Sequence, residues 1–136
     1  MITYSDSLLG ITPEMLQGFF EGWLHPPSPE TLLKLLQNSD YIFLAKDEEN
    51  KKVVGFITAI SDHTLSAYLP LLEVLPAYRK RGIGRELVRR ILEKLSGLYM
   101  VDLLCDPELQ PFYSSLGMMP AGGMMIRNYL RQSGGS

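Results

Sequence analysis

A chain of 136 residues, 46% apolar and 21% charged, fits one globular domain with a hydrophobic core of its own. Its net charge of −2 gives no overall support to nucleic-acid binding, and its single cysteine, Cys105, excludes an intrachain disulfide and a cysteine-rich metal site. No apolar run approaches membrane-spanning length and no secretory leader opens the sequence, so a cytoplasmic protein with no membrane or nucleic-acid partner and no metal is expected.

Residues 2–5 read as a short first strand. Thr12 then reads as the cap of a helix with Pro13 at its first position. Met15, Leu16, Phe19, Phe20, Trp23 and Leu24 recur at helical spacing, and His25-Pro26-Pro27 ends the segment. Ser28 caps a second helix, again with a proline, Pro29, at its first position; Leu32, Leu33, Leu35 and Leu36 are its apolar positions. At Asp40 the period changes. Tyr41-Ile42-Phe43-Leu44-Ala45 reads as a strand, the polar run 46–52 as a hairpin loop, and 53–60 as the partner strand. Residues 66–75 read as one further strand.

That strand runs into the basic, glycine-containing turn Arg79-Lys80-Arg81-Gly82-Ile83-Gly84, and an amphipathic helix follows at once. Glycines let the backbone approach a ligand closely, and a helix start offers unpaired N–H groups to a phosphate. Seven of the 13 basic residues fall between Arg79 and Lys94. For the later ones a solvated helix face is the alternative reading. Ile83, Leu87, Val88, Ile91, Leu92 and Leu95 share the apolar face of this helix, which Gly97 ends. Residues 99–105 form a mostly apolar strand, expected to be buried on both faces and parallel to the preceding strand through a right-handed crossover. A short helix near Pro111 turns Phe112, Tyr113 and Leu116 inward and ends at Gly117. Residues 123–130 fit one or two closing strands, and 131–136 read as a frayed or disordered tail. The order β-α-α-β-β-β-α-β-α-β describes an α/β domain with a mixed sheet.

Two of these segments resemble motifs of the GNAT superfamily, the acetyl-CoA-dependent N-acetyltransferases. Arg79-Lys80-Arg81-Gly82-Ile83-Gly84 resembles the R/Q-x-x-G-x-G/A signature, and Pro111-Phe112-Tyr113-Ser114-Ser115-Leu116-Gly117-Met118 resembles the aromatic-Tyr-x-x-x-Gly motif. The order and spacing of the two agree with the family. The resemblance covers residues 1–130 as one domain and implies a mixed central sheet with helices on both faces. Two departures stand out: Asp106 occupies a place where the family often has asparagine, and Met118 one where it often has phenylalanine.

The resemblance implies a set of roles. Main-chain N–H groups of Arg81, Gly82, Ile83, Gly84 and Arg85 would hold the CoA pyrophosphate, with Lys80 in the same turn and Arg79 bracing it. Val74 and Leu75 would offer main-chain groups to the pantetheine arm, and the Val74 N–H would polarise the thioester carbonyl. Asp106 and Tyr113 would complete the cofactor site. Tyr113 would also protonate the departing thiolate.

A lysine-like amine, with a pKa of about 10.4, costs roughly 4–5 kcal/mol to keep neutral at pH 7. Glu73, the one acid in its strand, is the candidate base, and a structural glutamate paired with an arginine is the alternative. His25 and His63 are the other candidates. Cys105 reads as a structural cysteine, and an acetyl-enzyme on it is rejected unless Cys105→Ala abolishes turnover while leaving acetyl-CoA binding intact.

The reading is an N-acetyltransferase working by direct transfer in a ternary complex. The alternative is a non-catalytic acyl-CoA sensor. A different nucleotide-binding domain would need a longer phosphate loop with a Lys-Ser/Thr pair, which is not here. Trp23, His25, Tyr41, Tyr68, Met124, Met125 and Tyr129 are candidates to line a pocket for a small or partly apolar amine. Monomer and homodimer both remain open.

Overall fold

One mixed sheet of six strands organises the computed structural model, which describes residues 1–135. The strands are β1 (Ile2–Ser5), β2 (Tyr41–Asp47), β3 (Lys52–Ser61), β4 (Ser66–Tyr68), β5 (Leu72–Val74) and β6 (Met100–Asp102); the helices are α1 (Pro29–Asn38), α2 (Ile83–Lys94) and α3 (Gln110–Ser114). The sheet order is β1-β2-β3-β4-β6, and β5 pairs with β3 as well. All pairings are antiparallel except β4 with β6, which is the parallel crossover through α2.

Helices cover both faces, as expected. The amphipathic pattern of α2 sends Ile83, Leu87, Val88 and Ile91 onto one face, against Ala45, Val54, Ile57 and Ala59. Each such side chain contributes about 1.5–3 kcal/mol through burial. On the other face Leu32 and Leu36 of α1, with Leu16 and Phe20, meet Ile42, Leu44, Val53 and Phe56. The α1 start is as read, with Ser28 Oγ accepting from the Thr31 N–H at 3.1 Å.

The centre of the sheet carries a bulge. Ala45 pairs with Gly55 but Lys46 pairs with Val53, so Val54 is an extra residue. Val54 and Gly55 therefore both face α2. A Cβ on Gly55 would lie 3.2 Å from Ile83 and Leu87 side-chain atoms and from the Glu73 carbonyl oxygen.

Four expectations need correction. Residues 12–24 do not form a helix; a single 3-10 turn, Pro13–Leu16, is followed by loop, and Gly18, Phe20 and Gly22 all have positive φ. Two glycines cost a helix about 1 kcal/mol each, and the loop still buries Phe20 against Trp23 and Phe56. The strand read over 66–75 is two strands, because Pro70 has no N–H to give a ladder. β6 is three residues long at the sheet margin, with Met100 and Asp102 exposed, not buried on both faces. Finally, residues 123–130, read as closing strands, contain no strand, and their end enters the 3-10 turn Tyr129–Arg131.

Residues 131–135 also differ from the frayed tail that was read. The Gln132 Oε1 accepts from the His25 N–H at 2.9 Å, and Gly134 lies against Thr31. Ser136 lies outside the described residues.

Candidate active site

Pro70 opens the site. Before it, the Leu69 N–H donates to the Asp102 carbonyl at 2.9 Å; after it, the Leu71 carbonyl accepts from the Thr58 N–H at 3.1 Å. The chain thus changes neighbours, leaving β6 for β3. Residues 103–106 leave the sheet at the same level, and β5 and β6 diverge. The gap is a cleft of about 380 Å³ lined by residues 69–73, 103–106 and Tyr113, with Trp23, Met125 and Arg127 at its borders.

The edge of β5 facing this cleft carries main-chain groups. Leu75 N–H donates to the Val54 carbonyl at 2.9 Å and Leu71 is held by Thr58, so the odd-numbered residues bond to β3. Alternation along a strand turns the main-chain groups of Leu72 and Val74 the other way, toward the cleft. The Val74 carbonyl accepts from Arg79 Nε at 3.2 Å, which leaves the Val74 N–H as a donor at the gap. Leu75 is different from its reading. Its N–H is used by Val54 and its carbonyl accepts from Tyr78 N–H at 2.9 Å, so both groups hold the turn and neither faces the cleft.

A 3-10 turn, Pro76–Tyr78, leads from β5 to the glycine loop. Buried Tyr78 anchors it: its hydroxyl donates to Asp47 Oδ2 at 2.6 Å, and Asn50 Nδ2 donates to the same oxygen at 2.7 Å. These bonds lower the Asp47 pKa to about 2, the Tyr78 bond first. The Arg81 guanidinium covers the Tyr78 ring at 4.9 Å. Lys80 and Gly82 both have positive φ, and Gly82 begins α2 with no side-chain cap. The Glu86 N–H makes the first helical bond, to the Gly82 carbonyl at 3.0 Å, so the N–H groups of Ile83, Gly84 and Arg85 lack helical partners. They form a donor cluster suited to a diphosphate.

Gly84 stands beside Val74 and Phe112, where an added Cβ would make ordinary contacts at 3.7 and 3.9 Å. Arg85 Nη1 donates to Ser115 Oγ at 2.8 Å, tying α2 to α3. Further along α2 the basic side chains are occupied. Glu86 binds Arg89 and Arg90, its own pKa lowered to about 2 by the Arg89 bond first, and Lys94 faces Asp6 at 3.7 Å. That part of the basic patch is a paired helix face.

Glu73 and Tyr113 both line the cleft, from different sides of the sheet. Leu72 and Val74 pack on the α2 face, so Glu73 between them turns to the other face. There its Oε1 accepts from the Phe20 N–H at 3.0 Å. Burial raises the Glu73 pKa above the usual carboxylate value, against the Phe20 bond and the nearby Arg79 charge. Arg79 spends its hydrogen bond on Val74 and lies 3.9 Å from Glu21, so Glu73 has no arginine partner within salt-bridge distance among the described residues. Tyr113, half-buried with its ring 4.9 Å from Phe112, has a pKa raised by burial and then by Cys105. Asp106 lines the cleft, and its carbonyl accepts from the Leu109 N–H at 2.9 Å.

Neither histidine lines the cleft. His63 sits between the Tyr41 hydroxyl at 3.1 Å and Asp40 at 3.0 Å, and the His25 N–H is bonded to Gln132. Phe20, Pro70 and Arg127 were missed by the sequence reading. Gly18 and Gly22 flank Phe20 and mark a non-helical backbone there, and a proline inside a strand marks a break; nothing comparable marks Arg127.

A second cavity of about 360 Å³ shares Trp23 and Leu71 with the cleft. Phe20 and Leu35 contribute apolar surface, Lys34 and Arg131 line it, and no acidic side chain among the described residues does. Among the described residues no His, Cys, Asp and Glu side chains cluster to hold a metal ion, and no helix is long and apolar enough to cross a membrane.

This architecture recurs in known proteins. A protein from Deinococcus radiodurans, assigned as an acetyltransferase, superposes with a TM-score of 0.94 at 46% identity, covering 97% of this chain and 92% of that one. The uncharacterised N-acetyltransferase ycf52 of Pyropia yezoensis is 27% identical over 72% of this chain and 58% of its own length. GCN5-related N-acetyltransferase 3, chloroplastic, of Arabidopsis thaliana is 37% identical over 50% of this chain and 30% of its own. The chain therefore spans only part of the length of these two relatives. The sequence profile described as the acetyltransferase (GNAT) family matches residues 8–118. The fold, the glycine loop and that match agree, and the chain belongs to the acetyltransferase (GNAT) family.

Proposed function

We propose that this chain transfers an acetyl group from acetyl-CoA to a primary amine by direct attack in a ternary complex. One observation carries the reading: a single cleft through the sheet is lined by Tyr113, on the face that α2 covers, and by Glu73, which turns to the other face. Donor and acceptor can then approach from opposite sides and meet at the Val74 N–H.

The chemistry assigned to each group follows from its position. Backbone N–H groups at 83–85 hold the diphosphate, and Arg79 fixes the Val74 carbonyl so that the neighbouring N–H stays aimed at the gap. The Val74 N–H steadies the negative charge that grows on the carbonyl oxygen, a type of contact worth about 2.7–4 kcal/mol in other enzymes. Glu73 takes a proton from the amine as its nitrogen forms the bond to the carbonyl carbon. The carbon–sulfur bond breaks, and Tyr113 gives its proton to the leaving thiolate, to be reprotonated from solvent. The products are an amide and free CoA.

The adjoining cavity would take the body of the acceptor. Its aromatic wall favours an apolar amine, and Lys34 and Arg131, with no acid beside them, favour one that also carries a carboxylate.

Incubation with acetyl-CoA and a panel of primary amines, with thiol detection, tests the reading. CoA should be released fastest with an aromatic amino acid, more slowly with the matching amine that lacks the carboxylate. Tyr113→Phe should cut kcat about 10²-fold while the KM for acetyl-CoA stays within a factor of three. Tight acetyl-CoA binding without CoA release for any amine would favour the sensing module instead.

A further inference from the structure

The polar turn between β2 and β3, which reads in the sequence as a plain hairpin loop, is joined to the glycine loop by side chains. Asp47 ends β2 and is buried. Burying a carboxylate is costly unless its oxygens are met by donors. Here both are. Oδ1 accepts from the Glu49 N–H at 3.0 Å and the Asn50 N–H at 3.3 Å; Oδ2 accepts from Asn50 Nδ2 at 2.7 Å and the Tyr78 hydroxyl at 2.6 Å. The donors from Glu49 and Asn50 belong to the turn itself. The Tyr78 hydroxyl comes from the far side of β3 and β5, and Asn50 Nδ2 also donates to its oxygen at 3.2 Å. An O–H donor on a carboxylate at this distance makes one of the stronger kinds of hydrogen bond.

Beyond Tyr78 little else holds the loop. The Arg79 N–H donates to the Pro76 carbonyl at 3.3 Å, but Lys80 and Arg81 make no main-chain bond among the described residues. Lys80 and Gly82 both have positive φ. A span with left-handed backbone at two places keeps one shape only where the surrounding structure imposes it. The ends are α2 on one side and Tyr78 on the other. The Tyr78 ring also carries two cations, the Arg81 guanidinium at 4.9 Å and Lys52 Nζ, from the start of β3, at 5.4 Å. Neither has a carboxylate within salt-bridge distance among the described residues, so the ring rather than a counter-ion sets where they stand.

We propose that Asp47, Asn50 and Tyr78 are positioning residues for the cofactor: the buried bond from Tyr78 to Asp47 locks the glycine loop onto the β2–β3 turn, in the shape in which the 83–85 N–H groups and Arg81 meet a diphosphate. The proposal rests on the reading of 83–85 as the diphosphate cradle. The three residues act through the loop and leave the transfer step alone, since none is hydrogen-bonded to Glu73 or Tyr113 among the described residues. A loop that holds its competent shape only part of the time binds with an affinity reduced by that fraction. The expected mark of these residues is therefore a weaker hold on acetyl-CoA at unchanged kcat.

Tyr78→Phe tests this, because it keeps the ring under Arg81 and removes only the hydroxyl. Calorimetry with acetyl-CoA should show binding about ten-fold weaker than wild type, and kinetics a kcat within about a factor of two. With no cofactor present, nitrogen-15 relaxation should show the 80–83 amides falling from a rigid order parameter of about 0.85 to below about 0.6, with those of 86–94 unchanged. Leu32→Ala, in the core under α1, is the control for lost stability alone: its Tm should fall while its affinity for acetyl-CoA stays at the wild-type value. Unchanged affinity in Tyr78→Phe, a fall in kcat with no change in affinity, rigid 80–83 amides, or an equal loss of affinity in Leu32→Ala would each overturn the proposal. Should Tyr78→Phe not fold, Asn50→Ala at the exposed turn decides by the same measurements, with about three-fold weaker binding expected and unchanged binding overturning. A wild-type chain that binds no acetyl-CoA would remove the cradle reading and this proposal together; a wild type that binds it no better than the variants removes this proposal alone.

Discussion

At the scale of single residues, Glu73 holds two opposed positions. The fold buries half of it, which favours the neutral acid, and meets it with one N–H bond from Phe20. A carboxyl group whose folded pKa lies above its unfolded value favours the fold while protonated. Its stabilising contribution is present below the unfolded pKa and is lost as pH rises through the folded one. Glu73→Gln keeps an acceptor for Phe20 and removes that loss. Thermal unfolding at pH 8 should therefore show a Tm no lower than wild type, while kcat/KM falls about 10²-fold and the acid limb of its pH profile flattens. A lower Tm with unchanged kcat/KM would make Glu73 structural. The acid itself was legible in the sequence, since it stands alone in an apolar strand. Its orientation was not, because the bulge at Val54 and the break at Pro70 both act on the parity of the neighbouring strands.

At the scale of elements, two glycines test the geometry in different ways. Gly55 lies under the start of α2, where a Cβ would crowd two side chains and a carbonyl oxygen at 3.2 Å. Gly55→Ala should cost about 1–3 kcal/mol, read as a lower denaturant midpoint at unchanged m-value. Gly82 has open space around its would-be Cβ but a φ of +80°. Gly82→Ala should cost about 1–2 kcal/mol of stability through backbone strain alone, and calorimetry should show acetyl-CoA bound at least ten-fold more weakly.

The elements themselves were readable where one signal dominated. The Ser28-Pro29 start of α1 and the amphipathic stripe of α2 stand as read. Residues 12–24 were not, because helical spacing of aromatics is equally satisfied by a loop that buries Phe20 between Gly18 and Gly22. Nor were 123–130, which fit closing strands by sequence but join no strand of the sheet.

At the scale of the whole molecule, one proline and one bulge give the sheet its use. The bulge places Gly55 under α2, which lets that helix sit close to β5; the proline parts β5 from β6 and opens a passage between faces. The order of elements and the two motifs made the family legible. The passage was not, since it depends on which neighbour each half of 66–75 chooses.

The most direct test of this passage as the site of transfer is an amide chemical-shift map of the protein titrated with acetyl-CoA. The account predicts the largest changes at Leu72, Val74 and 82–85, with Leu75 and the α1 amides little moved. Changes centred instead on 31–38 and 131–134, around the second cavity, would contradict it.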